Sequence, residues 1–183
     1  MELGQLSPQS RQLDVYRHCD SIRRGMSEQF DFRPMRVGEA SAVSELVFSL
    51  FSEFVGSDYS EEGILEFRKF VSPEALELRG SENHSVWVAE TGGILVGMIE
   101  IRDGNHVALL FVDKSYHRHG VAKDLLRAAL KESRGTAPDL ERVTVNSSRY
   151  GVPAFEKLGF RQTGPERAVN GIAFIPMAMR LEN

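Results

Sequence analysis

The sequence predicts one α/β domain, a twisted mixed β-sheet flanked by helices. Three observations predict it. The chain has 183 residues, 42% hydrophobic and 26% charged, the balance of a globular domain able to bury roughly 70% of its unfolded surface around one core. Segments with apolar residues at helical spacing alternate with short runs that alternate like strands. One strand–helix–strand passage, over residues 106–112, 120–133 and 142–146, has the length of a β-α-β crossover, which makes its two strands parallel neighbours.

Taken in order, residues 1–29 carry Arg11, Arg17, Arg23 and Arg24 among Gln, Ser and Asp, with a sparse apolar pattern in Leu13, Val15 and Ile22. They lack the apolar region of a secretory signal, and Glu2, Asp14 and Asp20 argue against a transit peptide. They read as a weakly ordered extension or an added helix, with the domain proper over residues 30–183. Phe32 and Met35 mark a short strand. Ala40, Val43, Leu46, Val47, Leu50, Phe51 and Phe54 then recur at the spacing of an amphipathic helix. A second helical region covers residues 60–78 and is divided by Pro73. Strands at 85–90 and 94–102 flank the turn Thr91-Gly92-Gly93, and Gly104-Asn105 turns the chain into the apolar strand 106–112. Val121, Leu125, Leu126, Ala129 and Leu130 line one side of the next helix, which Gly135 is placed to end. Val143 and Val145 alternate in the strand at 142–146, residues 148–158 form a short helix stopped by Gly159, and strands at 160–163 and 174–181 close the domain.

Charge and cysteine usage exclude whole classes. Twenty-two Lys and Arg against 26 Asp and Glu give a net charge of -4, the wrong sign for a protein whose main partner is nucleic acid. Cys19 is the only cysteine, so no intrachain disulfide or multi-thiolate zinc site can form. No apolar run approaches the ~20 residues of a membrane span, and the cytoplasm is the expected compartment. His84, His106, His117 and His119 show no metal-ligand spacing, so no metal is expected. Trp87 alternates with Val86 and Val88 as a core residue does. The absence of a Gly-x-Ser-x-Gly elbow argues against a hydrolase.

The informative segment joins Phe111-Val112-Asp113-Lys114-Ser115-Tyr116 to His117-Arg118-His119-Gly120-Val121-Ala122: a strand, a basic loop and a helix start. A helix N-terminus presents unpaired N–H groups and about half a positive charge, which suits phosphate. Gly120 permits close approach of a ligand, Ala122 keeps the first turn uncrowded, and His117, Arg118 and His119 add donors. The loop reads as a pyrophosphate cradle or as a solvated turn before a helix. It is neither a Walker A loop nor a dinucleotide fingerprint.

This loop, with its flanking strand and helix and the later Phe155-Glu156-Lys157-Leu158-Gly159-Phe160, resembles the GCN5-related N-acetyltransferase (GNAT) superfamily over about residues 30–181. The family's loop pattern is Gln or Arg, two residues, Gly, one residue, then Gly or Ala. Here His117 takes the first position and Phe155 stands where the family usually has Tyr. The resemblance implies the GNAT fold, acetyl-coenzyme A as donor and an amine as acceptor, with a homodimer left open. It implies pantetheine bonding along Leu110, Phe111 and Val112 like an added strand. The pyrophosphate would rest on Arg118, His119, Gly120, Val121, Ala122 and Lys123, with His117 alongside, while Asn146 and Ser148 would face the cofactor. The helices of residues 38–78 would wall the acceptor site.

Acetylating an amine requires its neutral form, which for an alkylammonium is less than about 0.1% of the total at pH 7. His106, six residues before Val112, is a candidate base because imidazole titrates in the useful range, and relatives place a glutamate base there. The structural alternative is a hairpin-end histidine bonded to backbone. Glu100 is the second candidate base, its alternative being an ordinary residue of the Met98, Glu100, Arg102 face. Phe155 has no proton for a departing thiolate. Tyr150 is the candidate acid or a packing residue, and Ser148 a weaker acid or an N-cap.

Residues 1–29 precede the resemblance, so truncation at Met26 is expected to leave both the melting temperature and the stabilisation by acetyl-coenzyme A unchanged. A thermal-shift comparison of the two chains checks this, and loss of either would make the extension part of the fold.

Overall fold

Apolar strand runs separated by tight turns assemble first into a meander. In a computed structural model, described for residues 29–56 and 59–181, β1 (Asp31–Pro34), β2 (His84–Thr91), β3 (Ile94–Arg102) and β4 (His106–Val112) pair antiparallel in that order. Helix α4 (Val121–Thr136) crosses over to β5 (Arg142–Ser147), which lies parallel to β4. The short α5 (Val152–Lys157) leads to β6 (Arg161–Gln162), β7 (Arg167–Val169) and β8 (Ile172–Arg180), and β8 pairs with β5, β6 and β7. The sheet order is β1-β2-β3-β4-β5-β8-β6. The residues 1–28 of the N-terminal extension lie outside the described ones.

The two faces of the sheet bury different helices because side chains alternate along each strand. Ile99, Ile101, Val107, Val143 and Val145 pack with Val121, Leu125, Leu126 and Ala129 of α4. Met98 and Leu109 face the other way, against Ala40, Val43 and Val47 of α1 (Ala40–Phe54) and Leu76 of α3 (Pro73–Gly80). Helix α2 (Glu61–Phe70) lies between them in sequence and stacks Phe67 on Phe51 of α1, with ring centroids 3.9 Å apart. Pro73 is the first residue of α3 and Ser72 its cap, so proline here starts a helix.

Three sequence expectations shift. Gly135 does not end α4: the helix passes through it, and the stop comes from Pro138, which forces Ala137 to φ −133° and ψ 81°. The final strand starts at Ile172 and folds back on β7 through Asn170-Gly171, both with positive φ (49° and 74°). That Asn-Gly pair is a strong hairpin signal that the sequence reading passed over. The hairpin tip docks on α2 so closely that a Cβ at Gly63 would lie 2.6 Å from the Gly171 carbonyl. Trp87 is only partly buried, and its Nε1–H donates to Glu132 on α4 at 2.9 Å.

Arg33 of β1 fastens the first strand to its surroundings. Its guanidinium donates to both Glu39 oxygens, at 2.7 and 2.8 Å, and also to Glu90 of β2. Glu39 immediately precedes α1 and also accepts from the Arg36 N–H at 2.7 Å. These bonds, led by Arg33, hold the Glu39 carboxyl down to about 2. A carboxyl held low stabilises the fold fully above its unfolded value near 4.5, and that contribution fades as pH falls through about 2. Glu39→Gln is therefore expected to cost about 1–3 kcal/mol at pH 7. Its deficit relative to wild type should shrink as the pH of a denaturant titration is lowered from 4.5 towards 2.

Candidate functional site

Strand β4 carries one extra residue opposite β3. The register runs from Glu100–Leu109 to Ile101–Val107, so Ala108 is a bulge, which bends a strand and disturbs its pairing. On its other side β4 pairs with β5 at only two positions, His106–Thr144 and Val107–Val145. Each strand continues, β4 to Val112 and β5 to Ser147, but the ladder does not. The stretch Leu110-Phe111-Val112 thus has a backbone edge towards β5 without a strand partner. Leu110 and Val112 pack towards α4, and Phe111 packs towards α1–α3.

The loop that follows is fastened from within. Asp113 accepts from the Ser115 N–H at 2.8 Å, starting a 3₁₀ turn over Lys114–Tyr116. His117 Nε2 lies 2.9 Å from the Val112 carbonyl. A carbonyl only accepts, so Nε2 carries the proton there, and His117 ties the loop to the strand end instead of pointing that donor outward. Arg118 and Gly120 both have positive φ, 68° and 84°. The first bond of α4 is Asp124 N–H to the Gly120 carbonyl, at 3.0 Å. Gly120 has no side chain to cap the N–H groups of Val121, Ala122 and Lys123, which point out of the helix start. A Cβ on Gly120 would meet only Asp124 Oδ2, at 3.8 Å, so the space in front is open. Arg118, His119 and Lys123 are exposed around it. This arrangement fits a pyrophosphate: open donors, the positive helix end and exposed basic side chains.

Across the notch, Asn146 is exposed on β5 beyond the last ladder position. Ser148 Oγ accepts from the Gly151 N–H at 3.1 Å, which makes it the brace of the turn before α5. Tyr150 is 51% exposed, and its ring stacks on Phe54 at the end of α1, centroids 5.0 Å apart and planes within 5°. Phe54 also meets the His117 ring, at 5.8 Å. An aromatic bridge therefore links α1, the cradle loop and the β5–α5 turn. Phe155 is buried edge-on to Phe160 at 5.3 Å.

The two candidate bases differ sharply. Glu100 is fully buried, neither outward nor free. Its oxygens accept from Arg79 Nε at 2.8 Å and Nη2 at 3.1 Å, and His84 Nδ1 lies 2.7 Å from one of them. His106 is half-buried on the same sheet face, paired with Arg102 on β3 and Thr144 on β5. Its Nδ1 is 2.8 Å from Thr144 Oγ1. Burial first, then the neighbouring Arg102 and His84, push its imidazole below the ordinary 6.5, with Asp103 opposing. That shift favours the neutral ring, the form able to accept a proton. Sequence reasoning missed Thr144, Arg79 and His84. Thr144 was one polar residue within a strand, Arg79 lay just past the expected helix and His84 just before the expected strand, and their partners follow from strand register and helix docking.

Among the described residues no helix is long and apolar enough to cross a membrane. An open depression between α1 and the α2–α3 turn, lined by Phe48, Arg68, Val71 and Pro73 among others, shares no residue with the notch.

The architecture has many relatives among solved structures. A GCN5-related N-acetyltransferase from Rhodopseudomonas palustris is 22% identical, with a TM-score of 0.71 over 85% of this chain and 99% of that one. The PaiA N-acetyltransferase of Thermoplasma acidophilum, solved with coenzyme A, is 18% identical, with a TM-score of 0.70 over 84% and 99%. A GNAT-family acetyltransferase from Staphylococcus aureus is 13% identical, with a TM-score of 0.67 over 84% and 100%. These likenesses establish the fold. A search of curated proteins finds no match. The family model described as an acetyltransferase (GNAT) domain matches residues 55–181. That span holds the bulged strand, the cradle and the crossover, and with it the chain belongs to the GNAT acetyltransferase family.

Proposed function

We propose that this protein is an N-acetyltransferase that moves an acetyl group from acetyl-coenzyme A to a primary amine of a small molecule or peptide, both substrates being held together. The observation that carries the reading is the interrupted β4–β5 ladder ending on the open N-terminus of α4. An unpaired strand edge invites a ligand that bonds as a strand does, and the helix start invites its phosphates. The backbone of Leu110, Phe111 and Val112 would hold the pantetheine arm. The N–H groups of Gly120, Val121, Ala122 and Lys123, with the side chains of Arg118, His119 and Lys123, would hold the pyrophosphate. Asn146 would contact the arm from β5, with Ser148 bracing the adjoining turn. Bound acetyl-coenzyme A supplies an activated thioester.

The remaining work falls to side chains. His106, its neutral form favoured, takes the proton of the acceptor amine on Nε2. Glu100, whose oxygens are engaged by Arg79 and His84, holds α3 against β3 and leaves the base role to His106. Tyr150, fixed by its stack on Phe54, offers a hydroxyl proton to the departing thiolate. A thiol with a pKa of ~8.5 leaves acceptably with modest help, so Phe155 in the usual tyrosine position is compatible with turnover. Phe155 also favours a second reading, an acyl-coenzyme A-binding or protein-interaction module that performs no transfer. Release of free thiol in the presence of an amine panel separates the two.

Acetyl-coenzyme A is expected to raise the melting temperature, since ligand at one hundred times its dissociation constant stabilises by about 2.7 kcal/mol. Gly120→Val should remove that shift, because a β-branched residue resists φ of 84° and its methyls fill the cradle. An unchanged shift in a folded Gly120→Val protein places the donor elsewhere.

For the base, kcat/KM is expected to rise with pH through an apparent pKa below 6.5, because burial and Arg102 disfavour the imidazolium. His106→Ala should abolish that inflection and lower the rate by roughly 10²–10⁴, with coenzyme A affinity unchanged. A full rate and an intact inflection in His106→Ala would remove His106 from the chemistry.

A further inference from the structure

We propose that Thr144 is a positioning residue for His106, fixing the imidazole as the tautomer protonated on Nδ1 so that Nε2 carries the free lone pair. The inference rests on the reading of His106 as the base and names what prepares it. A neutral imidazole has one N–H and one acceptor nitrogen, and only the acceptor can take a proton from an amine. Which nitrogen that is depends on the hydrogen bond made by the other.

The β4–β5 register brings the two groups together. His106 and Thr144 are directly paired at the last stretch of ladder before the strands stop bonding. Thr144 Oγ1 lies 2.8 Å from His106 Nδ1, and it also donates to the Asn105 carbonyl at 3.5 Å. That carbonyl accepts the Thr144 N–H as well, at 2.9 Å, so one residue of β5 grips the chain just before His106 twice. The hydroxyl has a single proton. The 2.8 Å contact by itself fits either direction of donation; with the hydroxyl proton assigned to the Asn105 carbonyl, which cannot donate, only lone pairs face Nδ1, and Nδ1 supplies the proton of that contact. A β-branched side chain in a strand has few χ1 choices, which keeps Oγ1 in place. Among the described residues nothing bonds Nε2.

The charged surroundings support a neutral ring. Arg102 and His84 face His106 from β3 and β2, Asp103 follows Arg102, and Arg142 stands two residues before Thr144 on the same face of β5. Glu100, the nearest buried carboxylate on that face, is engaged by Arg79 and His84.

The test is nitrogen-15 NMR of the His106 ring in the full chain at pH 8, with Thr144→Val and Thr144→Ser alongside. Wild type and Thr144→Ser are expected to show the proton on Nδ1, and Thr144→Val a shift towards Nε2. In kinetics, Thr144→Val should lower kcat/KM roughly tenfold, the size of one hydrogen bond. Its pH inflection should move to lower pH, because the imidazolium loses an acceptor, while the acetyl-coenzyme A thermal shift persists. Thr144→Ser should restore both. A wild-type proton on Nε2, or a tautomer indifferent to Thr144→Val, overturns the proposal. A tautomer that follows Thr144 while His106→Ala keeps full activity supports the positioning and overturns the base reading instead.

Discussion

The β4–β5 pair is bonded at two ladder positions and then released, and this limited parallel pairing organises the rest of the molecule. Buried strands ordinarily satisfy their backbone groups on both sides, because an unpaired N–H or C=O away from water is costly. Here Ala108 bulges out of register with β3, a device that bends strands, and the ladder to β5 stops at Val107. The cost is confined to the edge of Leu110-Phe111-Val112 that faces β5. The paired end then becomes a fixed point: it holds His106 beside Thr144, while the open end leads to Gly120 and the start of α4. The unpaired strand edge, the open helix start and the His106–Thr144 contact all lie around the point where one ladder stops.

Such an opening needs rigid walls, and the structure supplies them through charged fasteners as well as apolar packing. Arg33 joins β1 to Glu39 at the start of α1 and to Glu90 on β2. Arg79 joins α3 to Glu100 on β3, donates to the Phe70 carbonyl at 2.6 Å and lies over the Phe70 ring. Buried ion pairs of this kind stabilise little by comparison with apolar replacements, but removing one partner leaves a charge stranded. They therefore fix which helix sits where on the sheet. The stacked rings of Phe51, Tyr59 and Phe67 continue that wall to the end of α1, where Phe54 reaches Tyr150.

The helical wall on this face follows from the same construction. The α1–α2 region and the β7–β8 hairpin meet at Gly63 and Gly171, with backbones too close for a side chain between them. Two elements far apart in sequence thereby become one wall. Substitutions in either would be felt in the other, as the density of protein interiors requires.

What the sequence determined by itself was everything that depends on local periodicity and on short motifs. The apolar spacing of Ala40, Val43, Val47, Leu50 and Phe51 produced α1 as read, and the strand alternation produced β2 to β5. The Gly120 loop and its helix were legible because left-handed backbone and open N–H groups belong to adjacent residues. Local signals misled where a distant neighbour decided. Gly135 looked like a stop but stayed helical, since a glycine ends a helix only when its φ turns positive, and Pro138 does the stopping. Glu100 looked like a surface residue because alternation does not say that Arg79 and His84 will close over it. For His117 the sequence did not show that a carbonyl five residues earlier takes its Nε2–H. The pairing of His106 with Thr144 was legible in neither strand alone. It depends on the register of two strands separated by a whole helix, and register is set by packing against α4 and by the bulge at Ala108, which only the tertiary structure fixes.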